Sequence, residues 1–126
     1  MAKKILYIED EPSLQKTVGE ILEQEGFSVL FASDGNTGLR LAQEEKPDLI
    51  LLDLILPQKN GFEVLEGLKA NKETAEIPVI ITTNLEGTGD VEKILELGAT
   101  TYLVKANYSL LEVVEKVKEV LKESSK

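Results

Sequence analysis

Short apolar segments alternate with longer amphipathic segments along the whole chain. The apolar segments have the length of buried strands and cover residues 4–8, 27–32, 48–53, 78–83 and 100–105. The amphipathic segments carry apolar side chains at helical spacing and cover residues 12–25, 34–45, 61–70, 90–97 and 109–121. Pro12 suits a first helical turn, Gly26 suits the end of that helix, and Ser109 with Glu112 forms a capping-box pattern. The pattern predicts five strands and five helices in alternation.

Alternating strands and helices predict a parallel sheet that helices cover on both faces. The segment DLILLD, residues 48–53, is apolar on both faces, which is typical of a central parallel strand. Right-handed crossovers leave few topologies, and five units favour an open doubly wound α/β sheet over a barrel. We therefore expect a flavodoxin-like five-stranded sheet in the order 2-1-3-4-5, as one domain over residues 1–121. Residues 122–126 are predicted to be a frayed C-terminal end or the start of a linker.

The amino-acid composition and net charge argue against several classes of function. A hydrophobic fraction of 42% over 126 residues is that of one folded domain. The absence of cysteine excludes disulfides and thiolate metal sites, and it suits a cytoplasmic protein. A net charge of −9 argues against direct binding of nucleic acid or an anionic membrane. No apolar stretch approaches the length of a membrane span.

Acidic residues gather where two of the predicted strands end. Glu9 and Asp10 follow the first strand, and Asp53 ends the third, which is its neighbour in the expected order. Three converging carboxylates would repel one another or take up protons, unless a cation lies between them. Mg²⁺ prefers oxygen ligands of this kind, so we expect a magnesium site. The alternative is that Glu9 and Asp10 are ordinary acids at the start of a helix.

Two further polar residues end the neighbouring strands. Thr83 ends the fourth strand and Lys105 the fifth, which places a hydroxyl and an ammonium group at the same edge of the sheet. Such groups suit an incoming phosphoryl group, and Asp53 could accept it as an acyl phosphate. Thr83 could also be an ordinary strand-end threonine beside Thr82, and Lys105 a solvated lysine.

The segments IEDEP, DLILLDLILPQKNGFE, PVIITTN and GATTYLVK together resemble the receiver domain of two-component response regulators, over nearly the whole chain. The resemblance implies that Asp53 is the phosphoacceptor, that Asp10 is a direct Mg²⁺ ligand with Glu9 as the second residue of the acidic pocket, and that Ile55 is a ligand through its backbone carbonyl. It implies that Thr83 and Lys105 contact the phosphoryl oxygens and that Thr83 and Tyr102 are switch residues. It also implies that Ile55 and Leu85 set the lifetime of the acyl phosphate. The sequence departs from the usual pattern of this family at two positions. Ala106 stands where proline usually follows the lysine, and Asn84 stands where a small residue usually follows the threonine.

The resemblance implies a phosphoryl-accepting signalling switch that binds Mg²⁺. A histidine kinase or phosphotransfer protein would donate the phosphoryl group, and a downstream protein or fused effector would respond. The domain would not be an enzyme beyond Mg²⁺-dependent self-phosphorylation and slow autodephosphorylation. The alternatives are a pseudo-receiver that binds partners without phosphorylation, a phosphatase of the dehalogenase type and a flavin-binding protein. The last two fit less well because the acceptor follows the third strand and the loop after the first strand is acidic.

Overall fold

The computed structural model describes residues 2–54, 56, 58–83, 88–104 and 109–124. Strands and helices alternate as predicted. The strands are β1 (Lys4–Ile8), β2 (Ser28–Ala32), β3 (Leu49–Asp53), β4 (Val79–Thr83) and β5 (Thr101–Val104). The helices are α1 (Pro12–Gln24), α2 (Gly35–Glu45), α3 (Gly61–Ala70), α4 (Thr88–Glu96) and α5 (Leu110–Ser124). The strands form a parallel sheet in the order β2-β1-β3-β4-β5, which confirms the expected flavodoxin-like topology.

The ends of the helices follow local side-chain chemistry. The Asp34 carboxylate accepts a hydrogen bond from the Thr37 backbone N–H at 2.8 Å, so Asp34 caps α2 and does not belong to it. The Ser109 hydroxyl accepts from the Glu112 N–H at 3.3 Å at the start of α5. This helix continues to Ser124. Lys122 in its last turn is favourable beside the helix C-terminus.

The sheet separates two apolar cores. On one face, alternate residues of β1, β3 and β4 pack against α2, α3 and α4. On the other face, Tyr7, Leu51 and Ile80 pack against α1 and α5. All five residues of β3 are buried, as expected for a central strand covered on both faces. The carboxyl end of β3 is therefore held rigidly by both cores.

Close backbone packing fixes the segment that follows β3. The Gly61 N–H, at the start of α3, donates to the Leu54 carbonyl at 2.8 Å. A Cβ atom on Gly61 would lie 2.5 Å from Leu54 Cα and 2.7 Å from the Asp53 carbonyl oxygen. Backbone atoms cannot move aside as side-chain ends can, so only glycine allows α3 to begin directly against the end of β3.

We expect Gly61→Ala to lower the free energy of unfolding by about 1–3 kcal/mol, because the added methyl group overlaps backbone. Gly67→Ala is the matched control in the same helix. Its Cβ would meet only the end of the Leu39 side chain, at 3.0 Å from Cδ2. Helix propensity favours alanine there by roughly 0.5–1 kcal/mol. Urea unfolding of the two variants checks the difference, and equal stabilities would contradict the packing argument.

Candidate functional site

Three carboxylates meet at the carboxyl edge of the sheet. Ile8 of β1 is paired with Leu52 of β3, so the residues that follow, Glu9 and Asp53, are side by side. One carboxylate oxygen from each of Glu9, Asp10 and Asp53 lies within 4.8 Å of the other two. Glu9 is fully buried, Asp53 is 5% exposed, and Asp10 is exposed to solvent. The predicted convergence of the three acids is therefore present in the fold.

Glu9 is anchored on several sides. The Tyr7 hydroxyl, itself buried, donates to Glu9 Oε1 at 3.4 Å. The Glu11 backbone N–H donates to Glu9 Oε2 at 3.3 Å. From α1, the Gln15 side-chain amide donates to the Glu9 carbonyl oxygen. These contacts hold both the carboxylate and the peptide between Glu9 and Asp10, which limits how far the acids can separate.

Sequence reasoning missed Tyr7 and Gln15. A signal was available for Tyr7, since alternation along a strand puts it on the same face as Glu9, two residues later. A tyrosine among the aliphatic residues that follow Lys4 in β1 places a polar group in the core, and that group needs a partner. Gln15 offered no such signal, because its bond to the Glu9 carbonyl depends on how α1 docks against the end of β1.

The cluster fits a hard divalent cation. Its donors are oxygens only, and Glu9 and Asp53 are buried carboxylates whose mutual repulsion a cation would offset. Asp10 gives the cluster an exposed side, which suits an ion that keeps several of its waters. Among the described residues this is the group of acids close enough together to hold a metal ion.

Of the other predicted site residues, Thr83 lies at the same edge, Tyr102 lies within β5, and the rest are outside the described residues. Thr83 ends β4 and is 2% exposed. Tyr102 of β5 is partly buried and packs on the core formed with α2, α3 and α4. The predicted roles of Lys105, Ile55 and Leu85 concern residues outside those that the structure describes. Lys105 directly follows Val104, the last residue of β5.

The family model described as the response regulator receiver domain matches residues 5–118. The chain belongs to this family. The receiver domain is 40% identical over 124 residues to the alkaline phosphatase synthesis transcriptional regulatory protein PhoP of Bacillus subtilis. That match covers 98% of this chain and 50% of PhoP, so the chain spans about half the length of this relative.

Solved structures of receiver domains have the same fold. A CheY-like receiver domain protein from Methanospirillum hungatei JF-1 superposes with a TM-score of 0.90 at 31% identity, covering 99% of this chain and 98% of that one. The receiver domain of a sensor histidine kinase from Pseudomonas aeruginosa PAO1 gives a TM-score of 0.88 at 27% identity, covering 97% and 99%. That structure is described with a magnesium ion coordinated in the active site cleft.

Membership of the family establishes the general class of function of this domain. The receiver domain is a phosphoryl-accepting switch of two-component signalling. Nothing in the comparisons favours the pseudo-receiver alternative. Within the part of the chain that the structure describes, no helix is both long enough and apolar enough to cross a membrane.

We expect Asp10→Ala and Asp53→Asn each to weaken Mg²⁺ binding by about tenfold or more, corresponding to ~1.4 kcal/mol. Each substitution removes one carboxylate of the cluster. Glu11→Ala is the matched control, since Glu11 is an exposed acid in the same segment and its backbone N–H is kept. Calorimetric titration with Mg²⁺ measures all three variants. Wild-type affinity in both Asp10→Ala and Asp53→Asn would contradict the metal-site assignment.

Proposed function

We propose that Asp53 is the phosphoacceptor of this receiver domain, and that Glu9 and Asp10 with Asp53 hold Mg²⁺ beside it. The observation that carries this proposal is the position of Asp53. Its carboxylate ends the central strand within 4.8 Å of the other two carboxylates, at an edge that Asp10 leaves open to solvent. The Ile55 backbone carbonyl would complete the protein ligands.

The chemistry follows from a nucleophilic carboxylate. An Asp53 oxygen forms a bond to the phosphorus of a phosphohistidine or of acetyl phosphate. The bond from phosphorus to the histidine nitrogen or the acetate oxygen breaks, and the leaving group keeps the electron pair. The product is an acyl phosphate on Asp53. Mg²⁺ would supply positive charge for the phosphoryl oxygens during transfer.

Other residues of the chain act on the phosphoryl group without forming bonds to phosphorus. The Thr83 hydroxyl would donate a hydrogen bond to a phosphoryl oxygen, and Lys105 would place its ammonium group beside another. A shift of Thr83 toward the phosphoryl group would free space at the end of β4. Tyr102, on the adjacent strand, would follow it inward, and this change would alter the surface that a target protein binds.

The partners follow from the same chemistry. The sequence contains no histidine, so these residues cannot be the donor, and a histidine kinase or phosphotransfer protein would supply the phosphoryl group. The output would be a downstream protein or a fused effector, and PhoP, a transcriptional regulatory protein about twice as long, illustrates the second arrangement. A cytoplasmic location suits the cysteine-free composition. Beyond self-phosphorylation and slow autodephosphorylation, the domain would catalyse no reaction of its own.

Acetyl phosphate with Mg²⁺ should add one phosphoryl group to wild type, and only at Asp53. Asp53→Asn should take up none, because an amide oxygen is a poor nucleophile and leaves no stable acyl phosphate. Glu11→Gln, which removes a nearby exposed charge, should be modified like wild type. Intact-mass measurement followed by peptide mapping checks the site. A phosphoryl group found on another residue would overturn the assignment of Asp53.

The acyl phosphate should be long-lived, because Ile55 and Leu85 cannot hydrogen-bond the water that would attack phosphorus. The double variant Ile55→Asn, Leu85→Glu should lose its phosphoryl group about tenfold faster at saturating Mg²⁺, a change of ~1.4 kcal/mol in barrier height. Leu95→Glu is the control, since it adds the same charge at an exposed leucine of α4. Decay is followed by release of inorganic phosphate. A double variant as slow as wild type would show that these positions do not set the lifetime.

A further inference from the structure

The Thr82 hydroxyl is buried without a hydrogen-bond partner. Thr82 is 2% exposed, and its Oγ1 has no hydrogen-bond partner in the part of the chain that the structure describes. An unsatisfied buried hydroxyl is destabilising, because the group has lost its bonds to water and gained none. Such groups are rare in folded proteins, so this one requires a physical explanation.

Packing alone does not explain the choice of threonine. Thr82 faces the same side of the sheet as Ile80, two residues earlier on β4, and is paired with Leu103 of β5. Both neighbours belong to the aliphatic core that α1 and α5 cover. Valine has nearly the shape of threonine and carries no polar group. It would fill this position without leaving an unsatisfied hydroxyl.

The register of the sheet places this hydroxyl beside the phosphoacceptor. Thr82 is the direct partner of Asp53 on the adjacent strand, so the two side chains project from the same face. Neighbouring strands lie roughly 4.8 Å apart, which is within reach of a side-chain hydrogen bond. Thr83, the next residue, projects to the opposite face of β4. Thr82 is therefore the threonine that lies in line with Asp53 and Glu9 across the sheet.

A change of rotamer would bring the hydroxyl to Asp53. Rotation about the Thr82 Cα–Cβ bond exchanges the positions of Oγ1 and the methyl group between staggered states. When Asp53 carries a phosphoryl group, one carboxyl oxygen is bonded to phosphorus in a mixed anhydride and the other becomes the acyl carbonyl oxygen. That acyl oxygen is a hydrogen-bond acceptor at the level of Thr82, whereas the phosphoryl group projects beyond the sheet edge.

We propose that Thr82 is a positioning residue for phosphorylated Asp53, donating a hydrogen bond from its hydroxyl to the acyl oxygen. This inference rests on the proposed function of Asp53. The hydroxyl is unsatisfied in the unphosphorylated domain and satisfied in the phosphorylated one, so its burial favours the phosphorylated state. Thr82 then differs from Thr83 in role, since Thr83 would contact the phosphoryl oxygens and Thr82 the carboxyl group that carries them.

Thr82→Val and Thr82→Ser test the inference, with beryllofluoride and Mg²⁺ as the probe for the phosphorylated state. Without the probe, Thr82→Val should melt at a higher temperature than wild type, because an unsatisfied hydroxyl has been removed. Its affinity for beryllofluoride should nevertheless be about fivefold weaker, the equivalent of one neutral hydrogen bond. Thr82→Ser keeps the hydroxyl and should bind beryllofluoride like wild type. A merely structural role would not move stability and probe affinity in opposite directions.

Thr74→Val is the matched control, since Thr74 is fully buried but its hydroxyl donates to the Leu68 carbonyl at 2.6 Å. This variant should melt at a lower temperature and bind the probe like wild type. Should Thr82→Val fail to fold, Thr82→Ala against Thr82→Ser gives the same comparison. Wild-type affinity in Thr82→Val, or equal losses in Thr82→Val and Thr82→Ser, would overturn the inference alone. A wild-type protein that neither binds the probe nor accepts a phosphoryl group would overturn the proposed function as well.

Discussion

The fold must hold three carboxylates close together against their mutual repulsion, and the surrounding structure is arranged around this constraint. Oxygens of Glu9, Asp10 and Asp53 lie within 4.8 Å of one another, and two of the three groups are almost entirely removed from water. Like charges in a medium of low dielectric constant repel more strongly than in water. An isolated hairpin or loop would let the three groups separate. Here two of them end or follow central strands of a sheet that is covered on both faces, so the main chain cannot relax.

The sheet resists this repulsion because the strands that carry the acids are anchored on both sides. β3 is fully buried between two apolar cores, and β1 contributes residues to both of them. Contacts close to the acids add to this anchoring. The Tyr7 hydroxyl holds the Glu9 carboxylate from within the core, and Gly61 allows the first turn of α3 to pack on the Asp53 carbonyl. The surrounding fold consequently keeps the three carboxylates close together.

Side chains of consecutive strand residues project from opposite faces of the sheet, so neighbouring residues in the sequence meet different partners. Glu9, Asp53 and Thr82 project from one face of three adjacent strands, whereas Thr83 projects from the other. Two consecutive threonines are chemically identical in the sequence, yet they meet different partners in the fold. One is in register with the proposed acceptor, and the other ends the strand at the rim of the site.

The order of elements, the strand topology and the convergence of the acids could all be predicted from the sequence. They depend on local periodicity, on the handedness of crossovers and on the rule that parallel strands end at one edge. Element ends were less accurate by one or a few residues. Asp34 caps α2 instead of beginning it, and α5 extends to Ser124, because caps and last turns depend on individual hydrogen bonds and charges.

Only the tertiary structure decided which side chains support the acids. The bond from Gln15 to the Glu9 carbonyl depends on the docking of α1, and the close approach of Gly61 to Asp53 depends on where α3 begins. The unsatisfied hydroxyl of Thr82 depends on the register between β3 and β4. These are contacts between segments distant in the chain, set by the packing of whole helices and strands. A pattern of residue types along one segment determines which face is buried, but it does not determine which atom on a neighbouring segment will be met.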